Sequence, residues 1–230
     1  MRGNHDDAAL ACYNKARAGQ PFSERFGWVQ GMTPQHAELL AELPFTIAIP
    51  AYSALIVHAG VVPGVPLEQQ SLADLYKMRN LAPASTLAAA PSATASGAAL
   101  TEAASTASTS GAELGAAGPR WRGVEKPKEG GGEAWAHLWE GDPHPMHLFF
   151  GHDAKRRLQQ ARFATGLDTG AVYGGELTAA VLPPLPEVEA NYDAAAGRWR
   201  SSGGAVPTLE DLGGKLVSVD ALAVHEAPKG

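Results

Sequence analysis

Three short stretches hold the residues best suited to chemistry. Arg2-Gly3-Asn4-His5-Asp6-Asp7 opens the chain, and Val57-His58-Ala59-Gly60 and Phe150-Gly151-His152-Asp153 follow further along. An asparagine oxygen binds hard metal ions and an imidazole binds borderline ones, and neither needs a thiolate beside it. His5 is suited to hand over a proton or offset a developing charge. The planar guanidinium of Arg2 matches phosphate oxygens. Each stretch alone has a plainer reading, the first as a surface turn and His58 as a core histidine with both nitrogens satisfied. Together they repeat one pattern, a Gly-flanked histidine on a tight loop or at the end of an apolar strand. Loops at strand ends converge in α/β folds, so an Asn oxygen and two imidazoles could meet on one Mn, Fe, Zn or Co ion. The chemistry such an ion serves is phosphoester hydrolysis, in which it clamps the phosphate and generates hydroxide at neutral pH.

The elements that must position these groups read as α/β. Residues 6–18 carry helical periodicity through Leu10 and Tyr13, with Asp6 and Asp7 in the first turn, where negative charge suits the helix dipole. Thr33 and Pro34 mark the start of a second helix running to about Leu43. Strands are expected at Phe45–Ile49, Ser53–His58, Met146–Phe150, Glu176–Leu182 and Lys215–Leu222, with a short helix at Ser71–Arg79 and a basic helix or turn from Ala154 to about Gln160. Residues 82–132 are dominated by Ala, Ser, Thr and Gly, and over 82–119 Glu102 and Glu113 are the only charges. Such a stretch buries too little apolar surface to offset its ordering entropy and reads as a long disordered insertion. Residues 183–207, rich in Pro, Gly and Ala, read as a linker, and 208–230 as a tail with a possible last strand.

Composition narrows the class. The chain has 230 residues, 45% of them hydrophobic, enough to build a core. A net charge of −6 argues against nucleic-acid binding. No apolar run reaches the roughly 18 residues of a membrane span, and no basic-then-apolar leader opens the chain. A single cysteine, Cys12, excludes an internal disulfide and a cysteine-built zinc site; it reads as a small buried apolar residue. A reducing compartment is permitted and the cytoplasm favoured, although any targeting segment upstream would be missing. The oligomeric state stays open.

Four motifs in order, Arg2-Gly3-Asn4-His5-Asp6, Val57-His58-Ala59-Gly60, Phe150-Gly151-His152-Asp153-Ala154 and Gly166-Leu167-Asp168-Thr169-Gly170, the last followed by Val172-Tyr173-Gly174-Gly175, resemble the later motifs of the calcineurin-like metallophosphoesterases. The branch they look most like is that of the ApaH-like phosphatases, related to diadenosine tetraphosphate hydrolases and phosphoprotein phosphatases. The resemblance covers residues 1–182 and includes Trp135-Ala136-His137-Leu138-Trp139. It implies a β-sandwich flanked by helices and two divalent metal ions in the intact family. It implies Asn4, His58 and His152 as ligands of the second ion and His5 as the histidine that protonates the leaving group or stabilises its charge. Arg2 and Arg79 are implied phosphate contacts, with a solvated helix-end arginine an equal reading of Arg79. Asp6, Asp153 and Asp168 are supporting residues: Asp153 is expected to brace His152 by hydrogen bonds, and Asp168 with Thr169 to form a structural turn. His144 and His147 read as part of a solvated loop before a strand.

The departures are equally informative. The family's Asp-x-His-Gly and Gly-Asp-x-x-Asp-Arg-Gly loops, which supply the first metal's ligands and the bridging aspartate, have no counterpart in the sequence. Ala171 replaces a usual cysteine, and Arg157 stands where a glycine is usual. The chain therefore reads as an incomplete metallophosphoesterase, its C-terminal portion only, from a truncated product or, the favoured reading, an incomplete gene model. At most one metal site is partly present, and an uncovered sheet edge and apolar face are expected. The implied activity is metal-dependent hydrolysis of a phosphorylated substrate (phosphoprotein, dinucleoside polyphosphate or polyphosphate), with this chain inactive by itself. The alternative is a non-catalytic phosphate- or partner-binding fragment.

Overall fold

The computed structural model describes residues 1–84, 120–126 and 132–227. Helices α1 (Asn4–Arg17) and α2 (Pro34–Glu42) precede β1 (Thr46–Ile49) and β2 (Ala54–Val57). Then α3 (Leu72–Lys77) leads to β3 (Asn80–Pro83), β4 (Trp121–Val124) and β5 (Glu133–Ala134). After α4 (Trp135–Leu138) come β6 (His147–Phe150), β7 (Gln159–Gln160), β8 (Ala164–Gly166) and β9 (Glu176–Val181). Last are α5 (Leu185–Glu189), β10 (Tyr192–Asp193), β11 (Arg198–Trp199) and β12 (Lys215–Asp220).

The main sheet has the order β1-β2-β6-β8-β7. Its three middle strands are parallel, and the outer two run antiparallel to their neighbours. The near-continuous apolar sequence of β2 and β6 follows from burial on both faces. Leu55, Val57, Leu148 and Phe150 point into one core with Leu75, Met78, Leu81 and Trp135. Ala54, Ile56 and Phe149 point the other way, onto Val188, Trp199 and Leu212 and against Ala180 and Leu182. Helix α1 packs with α2 through Ala9, Tyr13, Val29 and Ala37. Thr33 caps α2 through its hydroxyl, which accepts the His36 amide at 3.3 Å.

Three segments differ from the sequence-based expectation. Within 82–132, the described residues 82–84 and 120–126 are structured: β4 pairs antiparallel with β3, placing Val124 in the core. The remaining residues of that segment, 85–119 and 127–131, lie outside the described set. Residues 183–207 are not a linker. α5 and the β10–β11 hairpin seat Val188 and Trp199 against the sheet, and the buried Asp211 ties this region together. Its carboxylate accepts the amides of Ser201, Ser202 and Thr208 and the Thr208 hydroxyl. Burial pushes the Asp211 carboxyl upward in pKa, but these donors outweigh burial and leave it below its ordinary value. β12 pairs with β9, and one face of that ribbon, with Leu177, Val181, Val217 and Val219, is exposed. Among the described residues no helix is long and apolar enough to cross a membrane.

His147 is the third correction. It is no loop residue but opens β6, fully buried. A carbonyl only accepts, so Nδ1–H donates to Pro207 O at 3.1 Å, and Nε2 then accepts the Thr165 hydroxyl at 2.9 Å. Burial lowers its pKa to about 4, against the weaker opposing effect of the Pro207 carbonyl. The unfolded chain binds a proton near pH 6.5, so this histidine's contribution to stability is complete above that pH. It is lost as pH falls toward about 4. We expect His147→Gln to flatten the acid side of the stability profile by up to about 3 kcal/mol between pH 6.5 and 4, measured by urea melts across that range. A variant profile parallel to the wild type would refute the assignment.

Candidate metal and phosphate site

Parallel strands end at the same rim. His58 directly follows β2, Gly151-His152 follow β6, and Leu167-Asp168 follow β8. The N-terminus of α1 brings Asn4 to that rim. The extended Gly3 precedes the helix, and the Asp6 carboxylate accepts the Gly3 amide at 2.7 Å, which fixes the entry angle. Asn4 Oδ1 lies 2.9 Å from His58 Nε2, and the His58 and His152 rings are 5.2 Å apart, centroid to centroid.

Each imidazole has a defined electrostatic state. His152 donates Nε2–H to the Lys77 carbonyl at 3.0 Å, so Nδ1 is the nitrogen with the lone pair. A backbone carbonyl on the far nitrogen is the common support of a metal-ligating histidine. Burial, then the Arg79 charge and the neighbouring His58, lower the His152 pKa to about 3, more than the Lys77 carbonyl raises it. Burial likewise lowers that of His58, partly offset by Asp6 and Asp168. Both rings are therefore neutral at physiological pH. His152 has φ 68°, in the left-handed region that costs a non-glycine residue energy and that tends to occur at functional sites.

The other expected residues are placed as follows. Arg79 reaches the His152 carbonyl at 3.4 Å and lies 3.7 Å from Asp153 and 3.6 Å from Glu125. It is a partly exposed cation on the His152 loop. Arg2 is engaged elsewhere: its guanidinium pairs with Asp7 at 2.6 Å and stands over the Phe45 ring. Asp153 does not brace His152 by a side-chain hydrogen bond; its carboxylate holds Arg156, whose other nitrogen donates to the buried Asn80 amide oxygen at 2.6 Å. Asp168 accepts the Gly170 amide at 3.1 Å, and the Thr169 hydroxyl donates to the Glu176 carbonyl at 2.6 Å, a structural turn. Arg157 has φ 60°, the conformation for which a glycine is the easy choice. His5 is exposed at the helix start and accepts from Arg25 through Nε2 at 3.3 Å. Because a guanidinium only donates, the neutral His5 ring carries its proton on Nδ1.

The donor set answers whether these residues suit a metal ion. Asn4 Oδ1 only accepts, so the 2.9 Å contact is a hydrogen bond donated by His58 Nε2–H; it brings the amide and the imidazole together, and a bound ion would have to replace it. Among the described residues no group of three His, Cys, Asp or Glu side chains is arranged to hold a metal, so the imidazole pair needs the Asn4 amide as its third donor. Together these residues offer N and O donors of the kind one divalent ion takes. Of the nearby carboxylates, Asp6 and Asp168 each accept one backbone amide on one oxygen, and Asp153 pairs with Arg156.

No family model and no curated protein matches the sequence. Among solved structures, a crystal structure described as that of "a putative diadenosine tetraphosphatase" matches at 26% identity with a TM-score of 0.58, over 95% of this chain. The fold is metallophosphoesterase-like. This chain spans 66% of the length of that solved chain.

The motifs did not point to a second group of residues near the start of α1. Arg25, Phe26 and Trp28 stand beside His5 around a cleft of about 230 Å³. Their sequence signal is a tryptophan and a phenylalanine in an otherwise polar, glycine-flanked stretch. Gly3 is required for a different reason: a Cβ there would stand 2.8 Å from Nδ1 and Cε1 of His58. Gly3→Ala must displace that ring. We expect it to weaken Mn²⁺ binding at least tenfold, followed by electron paramagnetic resonance, with circular dichroism unchanged. Unaltered affinity would count against the His58 assignment.

Proposed function

We propose that this chain carries one half-site of a metal-dependent phosphoester hydrolase of the ApaH-like branch. Asn4, His58 and His152 hold one divalent ion, Arg79 contacts the phosphate, and His5 serves the leaving group. The observation that carries the reading is the meeting of the Asn4 oxygen and the His58 nitrogen at 2.9 Å, beside His152, on the rim where parallel strands end. A bound ion would supply Lewis acidity and an activated water. Hydrolysis forms a P–O bond from water, breaks the P–O bond to the leaving group and delivers one proton to the departing oxygen. His5 would hand that proton over, and the partly exposed Arg79 would meet the phosphate's charge.

The substrate class favoured is a dinucleoside polyphosphate, supported by the described activity of the matched structure. A second reading, phosphate binding without turnover, is supported by the engagement of Asp6, Asp153 and Asp168, which leaves the three donors without a bridging carboxylate. The two readings share the half-site and differ in chemistry. Calorimetric titration with Mn²⁺ is expected to give one ion per chain, lost in Asn4→Ala and in His152→Ala. Hydrolysis of p-nitrophenyl phosphate by the 230-residue chain is expected at background. Two ions per chain, or binding unchanged in both variants, would sink the half-site.

A further inference from the structure

The cleft beside His5 contains none of Asn4, His58 and His152. Its walls are His5, Asp6, Ala9, Arg25, Phe26, Trp28 and Leu40, around about 230 Å³. That volume admits a flat heterocycle. Three rings border the slot: Phe26 meets His5 edge-on at 6.4 Å and is tilted by 48° to Trp28 at 6.3 Å. Arg25 lies over the Phe26 ring, and its guanidinium is ion-paired with the Glu226 carboxylate at 2.8 Å. Leu40 and Ala9 close the cleft with aliphatic surface.

Trp28 is the telling residue. It is 60% exposed, although burying an aromatic of its size is worth a few kcal/mol. The segment does not use it as an anchor, because Val29, the next residue, is fully buried between α1 and α2. Its indole N–H has no hydrogen-bond partner among the described residues. An exposed indole, a phenyl edge and a guanidinium around a slot are the components that stack a nucleobase, at about 1–3 kcal/mol per base.

We propose that this cleft is the subsite for the nucleobase of a nucleotide leaving group, with Trp28 and Phe26 stacking on the base. This rests on the assignment of His5 to the leaving-group side of the proposed centre. The placement favours a nucleotide over an aryl phosphate. A phenol ring bears the departing oxygen directly and would have to lie against the metal ligands, whereas a base is held away from it by a ribose, as this cleft is held away by His5. Polyphosphate has no ring to occupy the slot. Trp28 and Phe26 are then specificity-determining residues.

The test uses the full chain without added metal and follows the indole N–H resonances by NMR, the Trp28 signal being the one missing from Trp28→Ala. AMP, ribose 5-phosphate, inorganic phosphate and phosphotyrosine are titrated separately. AMP is expected to shift the Trp28 resonance and to bind at least tenfold more tightly than ribose 5-phosphate. That preference is expected to vanish in Trp28→Ala and in Phe26→Ala while circular dichroism and melting temperature hold. Equal binding of AMP and ribose 5-phosphate, absence of AMP binding, a preference that survives Trp28→Ala, or phosphotyrosine binding in place of AMP would each overturn the subsite. Because no metal is present, AMP binding by a chain that takes up no Mn²⁺ would remove the half-site and keep the cleft, and the reverse result would remove only the cleft.

Discussion

Parallel pairing of β2, β6 and β8 is the constraint on which the rest of the structure depends. Parallel strands present their C-terminal ends to one rim, so His58, His152 and Asp168 become neighbours although they are far apart in sequence. The pairing is held by burial on both faces: alternate residues of β2 and β6 enter two separate cores. A slip of one residue would exchange those faces and carry His58 off the rim. The apolar runs therefore do more than fill space, since they set the register that brings the imidazoles together.

At the rim the chemistry depends on close approach and on neutrality. Gly3 lets the His58 ring come against the start of α1, where any Cβ would collide with it. Asp6 holds that start in place through the Gly3 amide. Burial keeps both imidazoles unprotonated, and the Lys77 carbonyl selects the His152 tautomer. The left-handed backbone at His152 is a local strain that the flanking β6 and the Asp153–Arg156 pair hold in place.

Much of this was legible beforehand. Strand positions follow from apolar runs, helix starts from Thr33-Pro34 and from the acidic first turn of α1, and the placing of histidines after strands from the general behaviour of α/β sheets. Most misreadings share one cause, that composition averaged over a window hides a few anchoring residues. Val188 and Trp199 are isolated among Pro, Gly and Ala, yet both are buried against the sheet. Trp121–Val124 is swamped by its low-complexity neighbourhood, yet it completes a ladder with Asn80–Pro83. His147 follows a proline-rich loop, and only the facing Thr165 and Pro207, distant in sequence, make it a core residue. Asp153 was assigned to the nearest histidine, whereas a basic residue three positions on, Arg156, is the stronger partner for a carboxylate.

The use of the carboxylates sets the character of the site. Asp6, Asp153 and Asp168 orient backbone and an arginine, and the proposed ion would be held by two imidazoles and an amide. The charges of Asp6 and Asp168 reach His58, so the proposed ion would be partly offset by carboxylates, with Arg79 at the edge. In a chain whose net charge is −6, the field of that ion and Arg79 would draw phosphate only at short range, within a Debye length of roughly 8 Å at physiological salt. The partner that satisfies both this field and the aromatic cleft next to it is one in which a phosphate and a flat ring are joined by a short spacer.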